Sequence, residues 1–288
     1  MSHTAVTRAE CWKLRTRTLA FGRLPLLMGI VNVTPDSFSD GGRYFDHDAA
    51  VEHGLQLVAE GADILDIGGE STRPGALPVE EQEEIRRIQP VVESLCRRTD
   101  VPISVDTSKA AVARSAIDAG AEIINDITAL SGDSAMLPLV AETGVGVCIM
   151  HMRGEPRTMQ ENPHYADVVA EVLEYLRNRR DALLTASVEQ ACIAVDPGIG
   201  FGKTTEHNLK LLAAAEKFHG LGCPVLIGHS RKRFLEEMIG NSQCDRTAGV
   251  IGVALALARR RVQILRVHDV AAVRQALLLF EAAGGLDV

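Results

Sequence analysis

The stretch LLMGIVNVTPDSFSDGG, residues 26–42, changes character at Asn32. Six apolar or glycine residues precede it, and a polar loop holding Thr34, Pro35, Asp36, Ser37, Phe38 and Asp40 follows. A short apolar run with this boundary reads as a buried strand that opens into a loop. The same figure recurs along the chain. β-rich runs lie at 26–31, 63–67, 102–106, 122–126, 146–150, 192–195, 224–228 and 263–267. Helical patterns lie near 48–60, 80–98, 108–119, 134–143, 165–187, 205–219, 230–258 (broken near 240) and 269–283. Strands alternating with helices pair in parallel through right-handed crossovers. Eight such units, roughly 30 residues each, predict an α/β chain folded as a single (β/α)8 TIM barrel. An open doubly wound sheet is the rival, but no Gly-rich fingerprint follows the first strand.

The composition agrees with that fold. Of 288 residues, 46% are hydrophobic and only 4% aromatic, so Ala, Val, Leu and Ile must build the core. The segment WKLRTRTLAFG, residues 12–22, alternates well enough to form a short strand pair ahead of the barrel. Residues 1–11 are expected to be a flexible N-terminus and 12–288 the barrel domain. A formal charge of −8 gives no broad basic field for nucleic acid, so an anionic ligand needs a local pocket of Arg and Lys. The basic runs IRRIQ (85–89) and RRRVQ (259–263) read as solvated helix faces or ends. Cysteines 11, 96, 148, 192, 223 and 244 form no CxxC pair and sit mostly beside apolar runs, which suits core thiols in a reducing cytoplasm. No segment has the apolar length of a signal core or a membrane span.

Active sites follow the fold: in such barrels they lie at the C-terminal ends of the strands. Here every strand end carries polar groups: Asn32, DIGGESTRPG (66–75), VDTSK (105–109), NDI (125–127), MHMRG (150–154), VDPGIGFGK (195–203), GHSRKRF (228–234) and RVHD (266–269). Singly, each has a plain structural account; Asp106, Ser108 or Asp269 would cap a helix, and Pro197 and the glycines would turn the chain. Together they exceed what capping needs. Asp106, Asn125 and Asp196 are short hydrogen-bonding side chains on neighbouring strands, suited to a flat heterocycle edged with N–H, amino and carbonyl groups, and Lys232 would meet a ring carbonyl or nitrogen. The competing account pairs the two aspartates with Lys or Arg as buried ion pairs. Arg266, His268 and Asn32 fall together because the last strand closes on the first; they suit a diphosphate with magnesium, although His268 alone also reads as a structural histidine. GIGFGKTT lacks the first glycine of a phosphate loop and is rejected as one. His207 and His219 read as surface helix residues.

These motifs in order, one per strand end, resemble the dihydropteroate synthases from about residue 12 onward. The resemblance implies a dimeric barrel that joins 6-hydroxymethyl-7,8-dihydropterin diphosphate to 4-aminobenzoate, giving 7,8-dihydropteroate and diphosphate with Mg2+. It implies a pterin site of Asp106, Asn125, Met150, Asp196, Phe201, Lys232 and Arg266. It implies a diphosphate site of Asn32, Arg266 and His268, with Asn32 near the metal. It implies a 4-aminobenzoate site of Phe38, Thr72, Arg73, Pro74, Lys232 and Arg233, assembled with help from Asp36 in a mobile loop at 33–42, and a target for sulfonamides. The catalytic set is then Asp106, Asn32, Asp36, Lys232, Arg266 and His268. The dissociative path expected of a diphosphate on a pterin methylene needs anion stabilisation rather than a strong base. Arg233 stands where many members have Ser, and His229 and Glu236 are also unusual. Two rivals share the pterin logic: a methyltetrahydrofolate-dependent methyltransferase, which would need neither NVTPDSF nor STRPG, and a non-catalytic pterin-binding paralogue, which would be expected to lose Asn32, Arg73 or Lys232.

Overall fold

The computed structural model describes residues 8–34, 47–71, 75–241 and 245–287. The strand pair comes first, β1 (Cys11–Lys13) antiparallel to β2 (Thr18–Ala20). The barrel unit opens with β3 (Leu26–Asn32), α1 (His47–Ala59), β4 (Ile64–Gly68), α2 (Glu81–Arg98), β5 (Ile103–Asp106) and α3 (Ala110–Asp118). It continues with β6 (Ile123–Asp126), α4 (Met136–Thr143), β7 (Gly146–Met150), α5 (Val168–Thr185), β8 (Ile193–Asp196) and α6 (Thr205–Ala213). It ends with β9 (Leu226–Gly228), α7 (Arg233–Ile239), α8 (Thr247–Arg259), β10 (Ile264–Val267) and α9 (Val270–Ala282). The expected break near 240 is real: Gly240 adopts φ +72° and ends α7.

Neighbouring strands pair in parallel in the order β8-β7-β6-β5-β4-β3-β10-β9. A bridge between Val195 and Val225 closes the cylinder between β8 and the approach to β9. Period-two alternation then sorts the side chains. Leu27, Val31, Leu65, Ile67, Val105, Val147, Val195 and Leu265 point outward into the main core against the helices. Met28, Ile64, Ile123, Cys148, Ala194, Leu226 and Ile264 point inward and form a separate apolar floor.

The strand pair completes that floor. Trp12 and Leu14 are buried against it, and the Trp12 indole N–H donates to the Cys192 carbonyl at 2.9 Å. Burial of one such side chain is worth about 1.5–3 kcal/mol. Gly146 makes room for Leu14, since a Cβ there would lie 2.7 Å from Leu14 Cδ2. Most of the expected flexible N-terminus, residues 1–7, lies outside the described residues; Arg8 donates to the Arg261 and Gly22 carbonyls. No helix among the described residues is long and apolar enough to cross a membrane.

Three side-chain expectations change. His219 is buried, its Nε2 against the Arg260 carbonyl, because a 3-10 turn at 215–221 tucks it under α8. His207 is half-buried and closes a capping box with Thr204 at the start of α6. Arg87 is not a solvated residue: it bonds Glu83 and the Gly69 carbonyl, tying α2 to the end of β4.

Candidate active site

Above the apolar floor, the next inward layer is polar. Asp66, on β4, is fully buried. Its carboxylate accepts from Ser104 Oγ at 2.6 Å, Asn125 Nδ2 at 3.2 Å and Arg266 Nε at 2.5 Å. Arg266 Nη2 donates in turn to Asp106 at 3.0 Å. Four strands are thereby linked through one guanidinium and two carboxylates. The buried ion pair weighed from sequence is present at Asp106, and Asp66 is its larger half. An Asn125 amide that donates to Asp66 keeps its carbonyl oxygen as an acceptor for a ligand.

Lateral register brings the predicted residues together. Asn32, Gly68, Asp106 and Asn125 are successive partners across β3, β4, β5 and β6, and Met150 pairs with Asp196 across β7 and β8. Gly68 leaves the space between Asn32 and Asp106 open; a Cβ there would sit 3.9 Å from Asn32 Oδ1 and 3.7 Å from Asp106 Cβ. Neither carboxylate caps a helix: Asp106 precedes Lys109, the N-cap residue of α3, and Asp269, the N-cap residue of α9, makes no side-chain cap bond. The first turn of α3 is met instead by Asp133, which accepts from Ala110 N, and Asp269 accepts from Arg231.

Asp196 accepts from Gly198 N at 2.7 Å. Met150, Phe201 and Met159 form a small buried apolar wall beside it. Lys232, half-buried at the start of α7, places its ammonium 4.1 Å from the centre of the Phe201 ring, a cation–π contact. His268 is oriented by Ser230, whose Oγ lies 3.0 Å from His268 Nδ1 and accepts from its backbone N–H at 3.3 Å.

The charges are tuned by burial. Burial lifts Asp106 to about 7 despite Arg266, with Asp66 and Glu84 adding to the rise. Burial lifts Asp196 to about 6, opposed by the Gly198 N–H, Lys232 and Lys203. Burial lowers Lys232 to about 8, helped by Arg266 and resisted by Asp196 and Asp106. A cluster of groups shifted toward neutrality at the end of barrel strands marks a site built for ligand chemistry.

Some predicted residues stand elsewhere. Arg233 points outward, its side chain 80% exposed and paired with Glu237 at 2.8 Å. Asp36, Phe38, Thr72, Arg73 and Pro74 lie outside the described residues. The chain leading to them is well anchored: Lys109 bridges Glu70 and the buried Glu84. Asp66, Ser104 and Lys203 were given no role from sequence. Asp66 carried a readable signal, a charge at an inward period-two position within ILDI.

The loop after β8 depends on one backbone conformation. Gly198 has φ +69°, and a Cβ there would lie 1.9 Å from the His151 carbonyl oxygen. Gly198→Ala is expected to cost about 2–5 kcal/mol by adding left-handed strain to a backbone clash. A lower urea midpoint with weakened ligand binding is the expected result; an unchanged midpoint would show that the loop relaxes freely.

Comparison with known proteins places this geometry in a family. A family model described as pterin binding enzyme matches residues 28–268. The dihydropteroate synthase of Escherichia coli K12 is 46% identical over 258 residues, covering 90% of this chain and 91% of that protein. The Xanthomonas albilineans dihydropteroate synthase solved with 4-aminobenzoic acid superposes with a TM-score of 0.88 at 47% identity, covering 96% of this chain and 98% of that one. The Yersinia pestis enzyme in a sulfonamide drug complex gives 0.88 at 42% identity, covering 96% and 99%. With the matched region running through every strand end described above, the chain belongs to the pterin-binding enzymes and, among them, to the dihydropteroate synthase family.

Proposed function

We propose that the protein condenses 6-hydroxymethyl-7,8-dihydropterin diphosphate with 4-aminobenzoate, forming 7,8-dihydropteroate and releasing diphosphate. The observation that carries this reading is the convergence of Asp106, Asn125, Asp196 and Lys232 on one barrel mouth, beside the Met150–Phe201 wall. The two carboxylates accept from the N–H and amino edge of the pterin, Asn125 adds an acceptor, and Lys232 donates to its carbonyl or ring nitrogen. Met150 and Phe201 cover a face of the ring, and Arg266 stacks on it while held by Asp66 and Asp106.

The bond between the pterin methylene carbon and the diphosphate oxygen breaks first, its electron pair leaving with the oxygen. The electron-rich ring stabilises the resulting cation, and Asp106 and Asp196 favour that positive charge. The lone pair of the neutral aryl amine then forms the C–N bond, and the resulting ammonium gives its proton to water. Asn32, Arg266 and His268 receive the departing diphosphate, with Ser230 fixing the imidazole. In this reading Phe38, Thr72, Arg73 and Pro74 join Lys232 in the 4-aminobenzoate site, Asp36 helps assemble it, and Arg233 contributes by its backbone or from the rim.

The donor set fits Mg2+. Asn32 offers an amide oxygen beside the diphosphate position, and magnesium commonly takes one or two protein oxygens with the rest from phosphate and water. Among the described residues no group of three His, Cys, Asp or Glu side chains forms a metal cage, so the diphosphate would bring most of the ligands. When bound, the ion would neutralise charge on the leaving group.

Diphosphate release, measured with and without 4-aminobenzoate, tests the reading. Release that depends on the amine and yields dihydropteroate supports it; tight pterin binding without any release would overturn it. Pterin affinity is expected to be bell-shaped in pH. It falls as pH drops through about 7 and then about 6, where Asp106 and Asp196 take protons, and as pH rises through about 8, where Lys232 loses one. The limbs are macroscopic values because Asp106, Asp196, Lys203 and Lys232 titrate close together. Calorimetric titration over about pH 5 to 9 reads both, and a flat profile would remove these charges from pterin recognition.

The reading includes residues 12–288 acting as one domain in a cytoplasmic homodimer. Burial raises the Cys148, Cys192 and Cys223 thiols, in keeping with unreactive core cysteines. Met238, Ile239, Leu278 and Leu279 leave apolar surface on α7 and α9, with Leu279 72% exposed. Leu279→Glu is expected to shift the sedimentation coefficient from dimer to monomer; a wild-type monomer would refute the assembly.

A further inference from the structure

Lys203 lies in the loop after β8 and is only 3% exposed. Its Nζ meets three acceptors: the Phe201 carbonyl at 2.9 Å, His151 Nδ1 at 3.0 Å and the His151 carbonyl at 3.3 Å. An ammonium has three N–H donors, so this cage suits the charged form. His151 is a neutral acceptor, because burial first, and then Lys203 and Arg153, lower it to about 3. Its backbone N–H donates to the Asp196 carbonyl at 3.0 Å, and Tyr175 meets the ring edge-on at 4.9 Å. The Tyr165 hydroxyl donates to the Gly202 carbonyl at 2.8 Å and fixes the far side of the loop.

A buried ammonium is a costly way to fasten a loop, and an apolar side chain would fill the volume without desolvating a charge. Its place supplies the reason. It joins the end of β7, which carries Met150, to the segment that carries Phe201, and it stands within electrostatic reach of Asp196. Lys232 in turn rests on the Phe201 ring.

We propose that Lys203 is a positioning residue for the pterin slot: behind the Phe201 wall, its ammonium sets the spacing of Met150 and Phe201. This inference rests on the pterin-transferase reading given above. Burial draws Lys203 down to about 7, and Asp196 opposes that drift, so the two groups support each other's charge. Asp196 is faced by Lys203 on its own loop, Cys148 on β7, Lys232 at the start of α7 and Arg266 on β10. Removing one of the three cations leaves the carboxylate easier to protonate.

Lys203→Met and Lys203→Arg test the proposal in steady-state kinetics and in calorimetric binding of the dihydropterin diphosphate alone. Lys203→Met is expected to raise the pterin KM about tenfold to a hundredfold, the loss typical of a buried charged donor. The KM for 4-aminobenzoate stays within about twofold, and the acid limb of pterin affinity moves to higher pH. Lys203→Arg keeps the charge, so its acid limb stays at the wild-type position while its pterin KM rises less. A Met variant that melts like wild type, with unchanged pterin KM and limb, would overturn the proposal. Should the Met variant fail to fold, an Arg variant with the pterin affinity of wild type would overturn it equally. Wild-type protein that binds pterin without turnover would defeat the transferase reading instead, leaving the binding comparison to judge Lys203 separately.

Discussion

Asp66→Ala is expected to lower stability by about 3–5 kcal/mol and the melting temperature by roughly 10 °C. The cause is the loss of three bonds at once. Ser104, Asn125 and Arg266 all converge on this carboxylate, and it has no exposed surface through which water would replace them. Arg266 keeps Asp106, which limits the damage, but a guanidinium placed by two carboxylates would then be steered by one. Pterin affinity is therefore expected to fall along with stability, since Asn125 and Arg266 both turn. Ser104→Ala removes a single neutral donor and is expected to cost about 1 kcal/mol. Paired thermal melts of the two variants check the difference. Equal, small shifts would mean that Asp66 is incidental to the layer above the floor.

Lys232→Ala carries the largest expected effect on turnover, a loss of about a hundredfold to a thousandfold in kcat/KM. Its ammonium sits among Asp196, Asp106 and the Phe201 ring. Truncation leaves two buried carboxylates with less positive charge nearby and the pterin without its donor. Burial would then lift Asp196 and Asp106 further, so the variant should regain some pterin affinity at higher pH, where wild type loses it. Diphosphate release assayed across pH reads both effects. A loss below about fivefold would assign the ammonium to the rim rather than to substrate.

The strand ends were legible because a period-two apolar run must stop where its inward side chains meet solvent or ligand. Asn32, Asp106, Asn125, Asp196 and Arg266 all declared themselves in that way. Asp66 stood at the head of the strand-end motif DIGGESTRPG but drew no role, since it also lies inside a β-rich run, one step below the rim. Lys203 was hidden differently: its segment was judged as a phosphate loop and set aside when the spacing failed. The pairing with His151 depends on the neighbouring strand, and spacing along one segment carries no trace of it. His219 misled for the opposite reason, because a polar residue on a helical pattern reads as exposed until a turn folds it inward.

The hairpin that plugs the barrel floor sets a problem of timing. Trp12 is made 180 residues before Cys192, whose carbonyl its indole meets. At synthesis rates of about 5–20 residues per second, the indole waits roughly ten to forty seconds for its seat to exist. Contacts this distant in sequence are slow to form and leave an apolar segment open to aggregation meanwhile. The chain contains one tryptophan, so its fluorescence would report the sealing of the floor separately from the growth of the helices around it.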